Sequence, residues 1–151
     1  MNAGVEKEAL ARNLEGFFSE HAHACGISMC FLYGSWAGGK PTKESDVDIA
    51  LVPSGGMHSE DEIFDMLARL SAELSLNLGR EVNLLPIIKE SWKPMLYYNA
   101  IVLGEPLYVR ERRDLQSLVN EAVFQMEDFS ILGVKLQLDA ARRNLEKLAN
   151  A

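Results

Sequence analysis

Apolar residues recur along the chain with two periods, one typical of helices and the other typical of buried strands. A stripe with a 3.6-residue period covers about residues 5–21, and a second one follows Ser59 to about residue 78. Apolar runs of strand length lie at residues 27–33, 49–52, 80–88 and 106–109. This pattern predicts one α/β domain in which helices pack on a small sheet.

Local signals mark where some of these elements begin and end. Ser59 and Glu62 have the spacing of a capping box, which predicts the start of the second helix, and Gly79 is placed to end it. A further short helix is predicted from Ser91 to Leu103, closed by Gly104. The helix boundaries therefore agree with the apolar periods.

The last third of the chain, from about residue 113, is predicted to be helical. Apolar stripes lie on both sides of Gly133, so we expect a break or kink between two helical segments there. Most of the apolar residues are expected to enter the core, and an exposed remainder would form a surface for a partner. The basic pair Arg142–Arg143 is typical of a solvated helix face and can also meet an acidic partner.

Composition limits the class of protein. The 151 residues fit a single domain over 1–151, with a core over about 5–109 and a helical extension over about 112–149. The formal net charge of −7 argues against general nucleic-acid binding, because phosphate backbones are held by clustered cations. The chain has no membrane-length apolar run and no secretory signal, so we expect a cytoplasmic protein without a membrane partner; a homo-oligomer is left open.

The segment around His21, His23 and Cys25 contains residue types that can bind metals. A closed zinc site needs four ligands, and the sequence offers no second cluster to complete one. A histidine near a helix C-terminus also suits the helix dipole. We therefore interpret the segment as the end of the first helix.

The residues that carry chemistry lie between the first two predicted strands. Gly34 and Ser35 end the first apolar run, ten residues follow, and Asp46 and Asp48 begin the second run. Alternate residues of a strand share a face, so the two carboxylates point the same way, about 7 Å apart along the strand. Magnesium prefers such oxygen ligands, and a glycine-rich turn with a serine hydroxyl suits phosphate. The spacing predicts a site for a metal–nucleotide complex.

At these positions the chain resembles the nucleotidyltransferase superfamily of the DNA polymerase beta type, whose motif is Gly-Ser, about ten residues, then Asp-x-Asp. The matching residues are Gly34, Ser35, Ser45, Asp46 and Asp48. The resemblance covers roughly residues 5–88 and implies an α/β (α+β) fold: a polymerase-beta-like core with helices on a small mixed sheet, plus C-terminal helices. The chain is most similar to the small bacterial minimal nucleotidyltransferases (MNT), the MntA-like antitoxins of HEPN/MNT toxin–antitoxin systems.

The resemblance implies an activity and a partner. Asp46 and Asp48 would be the catalytic residues and would hold Mg²⁺, while Gly34, Ser35 and Ser45 would bind the nucleotide. The reaction implied is the transfer of AMP from ATP to a tyrosine of a HEPN ribonuclease toxin. No direct contact with nucleic acid is implied.

Two positions depart from the family pattern. The third core strand usually carries an aspartate, and here Asn83 stands in its place. An amide can ligate a metal weakly through its oxygen but cannot take a proton from a hydroxyl. Glu81 shares the face of Asn83 by the two-residue strand period and is the alternative carboxylate. Gly38 occupies a position where the family often has arginine, which leaves Lys40 or Lys43 to supply a cation.

These departures leave two other interpretations open. The chain could be a catalytically weakened or inactive MNT domain that neutralises its partner by binding, with the C-terminal helices as the interface. It could also transfer a nucleotide to a small molecule such as an aminoglycoside, which the short length disfavours.

Overall fold

The computed structural model describes residues 3–39, 41, 42, 44–55 and 59–150. The helices within this part of the chain are α1 (Ala3–His21), α2 (Glu60–Leu78), α3 (Pro94–Ile101) and α4 (Arg112–Ala149). The strands are β1 (Ile27–Tyr33), β2 (Val47–Pro53), β3 (Val82–Pro86) and β4 (Glu105–Val109). A single 3-10 turn, Lys89–Ser91, precedes α3.

The four strands form one mixed sheet in the order β3-β2-β1-β4. β1 lies inside the sheet and pairs antiparallel with β2 and with β4. β2 and β3 are parallel, and α2 connects them. This is the small mixed sheet with helices packed on it that the sequence predicts, so the predicted fold class is confirmed.

Each face of the sheet is covered by a different pair of helices. On one face, apolar residues of α1 and α2 pack against alternate strand residues such as Leu32, Ile49 and Val82. On the other face, α3 and the first part of α4 pack against the intervening residues, among them Phe31 and Ala50. The alternation of side chains along each strand produces the two separate clusters.

The predicted ends of α2 are confirmed. The Ser59 hydroxyl accepts a hydrogen bond from the Glu62 main-chain N–H at 3.2 Å, as an N-cap residue does. At the other end Gly79 has a φ of 63° and its N–H donates to Ser75 O. A left-handed residue after the last turn favours glycine because it has no Cβ to clash.

The helix predicted between Ser91 and Leu103 is shorter in the structure and is not ended by its glycine in the expected way. α3 stops at Ile101, and Gly104 is required for close packing instead. A Cβ at Gly104 would overlap Ala100 O and lie 2.8 Å from Leu32 O. The glycine therefore lets the start of β4 approach β1 and α3.

The expected break at Gly133 is wrong, because α4 is one helix of 38 residues that runs through this position. Glycine lowers helix propensity by about 1 kcal/mol, yet it keeps its N–H and does not interrupt the hydrogen-bond ladder. None of the helices in the described part of the chain has the length and apolar character needed to cross a membrane.

Candidate functional site: the carboxylate cluster

Three neighbouring strands place polar side chains in one row across the sheet. Asp48 on β2 is the register partner of Tyr33 on β1 and of Asn83 on β3. Val47 and Ile49, on either side of Asp48 in sequence, are fully buried in the opposite face. The strand alternation thus directs Asp48 away from the α1/α2 core, as predicted.

Asn83 connects the two predicted carboxylates. Its Nδ2 donates to Asp46 Oδ2 at 3.3 Å and to Asp48 Oδ1 at 3.2 Å. Asp46 and Asp48 are half-buried and Asn83 is exposed, so the cluster is open to solvent. The structure therefore brings Asp46, Asp48 and Asn83 together at the end of the sheet, with both carboxylates turned toward one point.

Glu81, the alternative third carboxylate, does not join this cluster. It lies just before β3, where its main-chain oxygen accepts from Val47 N at 2.9 Å. Its side chain is exposed, and no hydrogen bond or ion pair within the described part of the chain involves its carboxylate. Asn83, not Glu81, is the third-strand residue that contacts the aspartates.

Gly34 packs directly against the carboxylate of Asp48. It has a φ of 75°, and a Cβ added to it would overlap Asp48 Oδ2 and lie 3.3 Å from Asp48 Cγ. Two independent constraints, the left-handed backbone and the close approach, therefore require glycine. The turn after β1 and the aspartate on β2 are in contact, which the loop spacing alone could only suggest.

The turn that follows Gly34 is closed by its own main chain. Gly38 N donates to Gly34 O at 3.0 Å, and Gly39 N donates to Trp36 O at 3.5 Å. Ser35 lies half-buried within this turn, while the Trp36 side chain enters the α1/α2 core. The indole thus anchors the turn to the core beside the carboxylates.

Ser45 holds the far end of the connecting loop. Its hydroxyl accepts from Thr42 N at 2.8 Å and lies 3.0 Å from Thr42 Oγ1, and its N–H donates to Thr42 O at 3.1 Å. Trp36 Nε1 donates to Ser45 O at 3.4 Å. These contacts give Ser45 a part in shaping the loop, and its role in nucleotide binding stays a prediction. Lys40 and Lys43, the predicted cations, lie outside the described residues.

Two cationic side chains lie beside the turn, and the sequence motif does not predict either of them. Lys7 of α1 donates to Ala37 O at 3.1 Å and forms an ion pair with Glu105 of β4 at 2.6 Å. The Arg80 guanidinium lies over the Trp36 ring, 4.9 Å from its centroid. Lys7 is distant in sequence from the motif, so only the fold connects them.

The charge of Asp48 also reaches the neighbouring strand. Burial raises the pKa of Tyr33, and the negative charge of Asp48 raises it further. Ionisation of the phenol beside a carboxylate would place two negative charges together in a partly desolvated setting. Tyr33 therefore remains a neutral phenol next to the cluster.

The residues of the cluster fit a magnesium ion. Mg²⁺ is usually bound by one or two carboxylates, with waters and substrate phosphates completing its octahedron. Within the described residues no group of three or more His, Cys, Asp or Glu side chains is placed to share a metal. Asn83 turns its amide nitrogen toward the two carboxylates, so the oxygen ligands gathered here are those of Asp46 and Asp48. The other positions of an octahedron would fall to water and phosphate oxygens.

Comparison with known proteins gives a family match. Residues 13–113 match the family model described as polymerase beta, nucleotidyltransferase. This range includes β1, β2, β3 and every residue of the carboxylate cluster. No curated protein sequence matches the chain.

Solved structures with a similar fold come from toxin–antitoxin complexes. One, a complex with AMP-PNP, has a TM-score of 0.57 and 16% identity, over 91% of this chain and 98% of that chain. Another, a tri-AMPylated Shewanella oneidensis HEPN toxin with its MNT antitoxin, has a TM-score of 0.53 and 15% identity, over 93% and 99%. An MntA–HepT complex gives the same four values. At these identities the likeness shows the fold.

Proposed function

Because this chain belongs to the polymerase beta nucleotidyltransferase family, we propose that it is an antitoxin that transfers AMP from ATP to a tyrosine of a HEPN-type ribonuclease partner. Two likenesses support the choice of reaction and partner. One similar structure holds the ATP analogue AMP-PNP, and another contains an AMPylated HEPN toxin beside its MNT antitoxin.

The observation that carries the proposal is the convergence of Asp46 and Asp48 on the Asn83 amide, with the Gly34 main chain against Asp48. Two carboxylates held this close repel each other, and the amide N–H groups offset part of that repulsion. A cation would do so more strongly. The cluster is therefore suited to bind a divalent ion together with the triphosphate of ATP.

In the proposed reaction the tyrosine oxygen of the partner attacks the α-phosphorus of ATP. A phosphorus–oxygen bond forms, the bond from the α-phosphorus to the oxygen bridging to the β-phosphorus breaks, and pyrophosphate leaves. Mg²⁺ bound by Asp46 and Asp48 would neutralise phosphate charge and align the acceptor oxygen. The turn from Gly34 to Gly39 would hold the outer phosphates, with Ser35 as a hydroxyl donor.

Asn83 determines how the tyrosine proton leaves. An amide cannot accept that proton, and the Glu81 side chain makes no hydrogen bond to the cluster within the described residues. The proton would therefore pass to solvent, which the exposed cluster permits. We expect slow turnover compared with a variant in which the third carboxylate is restored.

The same observation favours a second candidate function. With Asn83 in place of a carboxylate, the chain would neutralise its partner by forming a complex, with little or no transfer. The two candidates predict different products from the same mixture, so one experiment separates them.

The test incubates the purified chain with ATP labelled at the α-phosphate, Mg²⁺ and the HEPN protein encoded beside it. Transfer predicts label on the partner that requires Mg²⁺ and is lost in Asp46→Asn and in Asp48→Asn. Persistent labelling in both variants would refute the assigned site. A stable complex without label would favour neutralisation by binding.

A second measurement addresses the metal without relying on turnover. Asn83→Asp places a third carboxylate in the cluster, so the variant should be less stable than the wild type in EDTA and gain more stability from Mg²⁺. Glu81→Gln is the matched control and should respond to Mg²⁺ like the wild type. Equal responses of wild type and Asn83→Asp would argue against a metal at this cluster.

A further inference from the structure

The second half of α4 presents apolar residues that nothing in the described part of the chain covers. No side chain of α4 beyond Ala122 is buried. Apolar residues recur there at alternating intervals of three and four, the heptad spacing of a helix that packs along another helix. We call this set the heptad seam: Ile131, Val134, Leu138, Ala141, Leu145 and Leu148. Its larger members are between 56% and 73% exposed.

The seam is not a continuation of the face that α4 turns to the core. Leu118 and Ala122 define the core-facing side, and at about 100° per residue that side continues through Phe129 and Leu136. The seam is rotated from this side by about 150°. Its spacing therefore does not arise from packing within this domain and calls for a separate contact.

A cleft between α3 and α4 leads into the seam. It has a volume of about 450 Å³, and Ile131, the first seam residue, is among the residues that line it. The lining residues are Tyr98, Val123, Met126, Glu127, Ser130 and Ile131. A helix lying along the seam would reach this cleft with one end, so the two features form a continuous surface.

The positions that flank the seam in the heptad carry cations and no anions, and Glu127 lies in the adjoining cleft. In heptad terms the residues on one side are Lys135, Arg142 and Ala149, and those on the other side are Ser130, Gln137 and Asn144. Side chains at these flanking positions choose the partner of a coiled coil through ion pairs. A partner helix with Asp or Glu beside its own apolar stripe would match this arrangement.

A second copy of the chain fits the seam less well. In an antiparallel pair, Lys135 of each copy would face Arg142 of the other, so like charges would meet twice. In a parallel pair the same cations would face neutral side chains and gain no ion pair. Charge complementarity therefore favours a different, acidic helix.

From these observations we infer that the heptad seam binds an α-helix of another protein whose apolar heptad stripe is flanked by acidic residues. The inference goes beyond the proposed transfer reaction, because the seam and the carboxylate cluster share no residue. Asp48→Asn should therefore leave this binding unchanged, and failure of either proposal would be seen separately.

The test uses the full-length chain and two fluorescein-labelled synthetic peptides of three heptads. Both peptides have leucine at the two core positions; one has glutamate at the flanking positions and the other has lysine. Fluorescence anisotropy should show the acidic peptide binding at least about tenfold more tightly than the basic peptide. The preference should shrink as NaCl is raised from about 0.05 to about 0.5 M.

Matched variants locate the binding face and its charge preference. Leu138→Asp should reduce binding of the acidic peptide by at least about tenfold, because it places a charge in the apolar contact. Leu136→Asp, at an equally exposed residue on the core-facing side, should leave the affinity within about twofold. Exchanging both cations in Lys135→Glu/Arg142→Glu should transfer the preference to the basic peptide.

Several outcomes would overturn the inference. These are equal binding of the two peptides, no binding of either, or loss of binding in Leu136→Asp with none in Leu138→Asp. Sedimentation of the wild-type chain as a dimer that Leu138→Asp dissociates would show that a second copy covers the seam.

Discussion

The carboxylate cluster and the second half of α4 differ in what holds them in place. Each member of the cluster is positioned by packing outside it: β2 by its buried neighbours Val47 and Ile49, and the turn by the buried Trp36. Among the described residues, the second half of α4 makes no hydrogen bond to another element, and isolated helical segments are marginal in water. One region is positioned by packing within the domain, whereas the other is uncovered, and under our inference a partner helix would complete it.

This difference bears on where function resides. A site that positions carboxylates benefits from a rigid frame, because small displacements of a reacting group are costly. A recognition helix can remain uncovered until its partner arrives, at the cost of an exposed apolar surface. Under our two proposals, catalysis would reside at the sheet and recognition at the helix.

The largest expected effect separates the two halves of α4 directly. Leu118→Ala should lower the free energy of unfolding by about 2–5 kcal/mol, because Leu118 is buried against the sheet and α3 and its loss leaves a cavity. Leu138→Ala should change it by less than about 0.5 kcal/mol, since Leu138 is exposed. Urea denaturation followed by circular dichroism measures both. A large loss in Leu138→Ala would mean that this half is already packed, which would remove the contrast.

The next effect tests the contact between the turn and the carboxylate. Gly34→Ala should cost about 2–4 kcal/mol of unfolding free energy, because the new methyl group meets Asp48 and the backbone is left-handed. It should also weaken binding of Mg²⁺–ATP, measured by calorimetry, by displacing Asp48.

Gly39→Ala is the matched control for that variant. Gly39 has nearly the same φ, 74°, but a Cβ there would have no atom within 4 Å among its described neighbours. It should cost only the conformational term, about 1–2 kcal/mol, and weaken nucleotide binding less than Gly34→Ala does, because Asp48 stays in place. Equal costs for the two glycines would show that the contact with Asp48 is unimportant.

A smaller effect tests how far the rigid frame extends. Lys7→Met removes the ion pair with Glu105 and the hydrogen bond to Ala37 O, and it should lower stability by up to about 1 kcal/mol because both charges are partly solvated. Glu105→Gln removes the charge pairing and leaves Lys7 free to donate to Ala37. Chemical denaturation should show a smaller loss for Glu105→Gln; identical losses would mean that the Ala37 contact contributes nothing.

Much of this arrangement could be predicted because it depends on local pattern. Alternation along the second strand predicts that Asp46 and Asp48 share a face. The glycine at position 79 predicts a left-handed residue that ends α2. The contacts of Lys7 could not be predicted, because they join elements distant in sequence. The break at Gly133 was expected from propensity alone, and an unbroken hydrogen-bond ladder outweighs that modest cost.

The preference for Asn83 over Glu81 was also beyond the sequence. The two-residue strand period places both on one face, and the hydrogen bonds from Asn83 to Asp46 and Asp48 distinguish them. Glu81 precedes the strand and its side chain lies exposed, whereas Asn83 pairs in register with Asp48. The register between β2 and β3 decides which of the two residues contacts the aspartates. This register cannot be read from a single sequence.

The smallest expected effect is that of the Asp48 charge, on β2, on the pKa of Tyr33 on β1. Burial and Asp48 raise the pKa of Tyr33 above its ordinary value of 10.0, so at high pH the unfolded chain loses this proton before the folded chain does. The unfolded state then binds fewer protons, and stability falls as pH rises from about 10 toward the folded pKa. Tyr33→Phe should make this loss of stability at alkaline pH shallower.

In Asp48→Asn, absorbance titration should show one of the four tyrosines ionising at lower pH than in the wild type. Asp46→Asn is the control, and an equal change there would mean that the whole cluster, rather than the strand neighbour Asp48, sets the field at Tyr33.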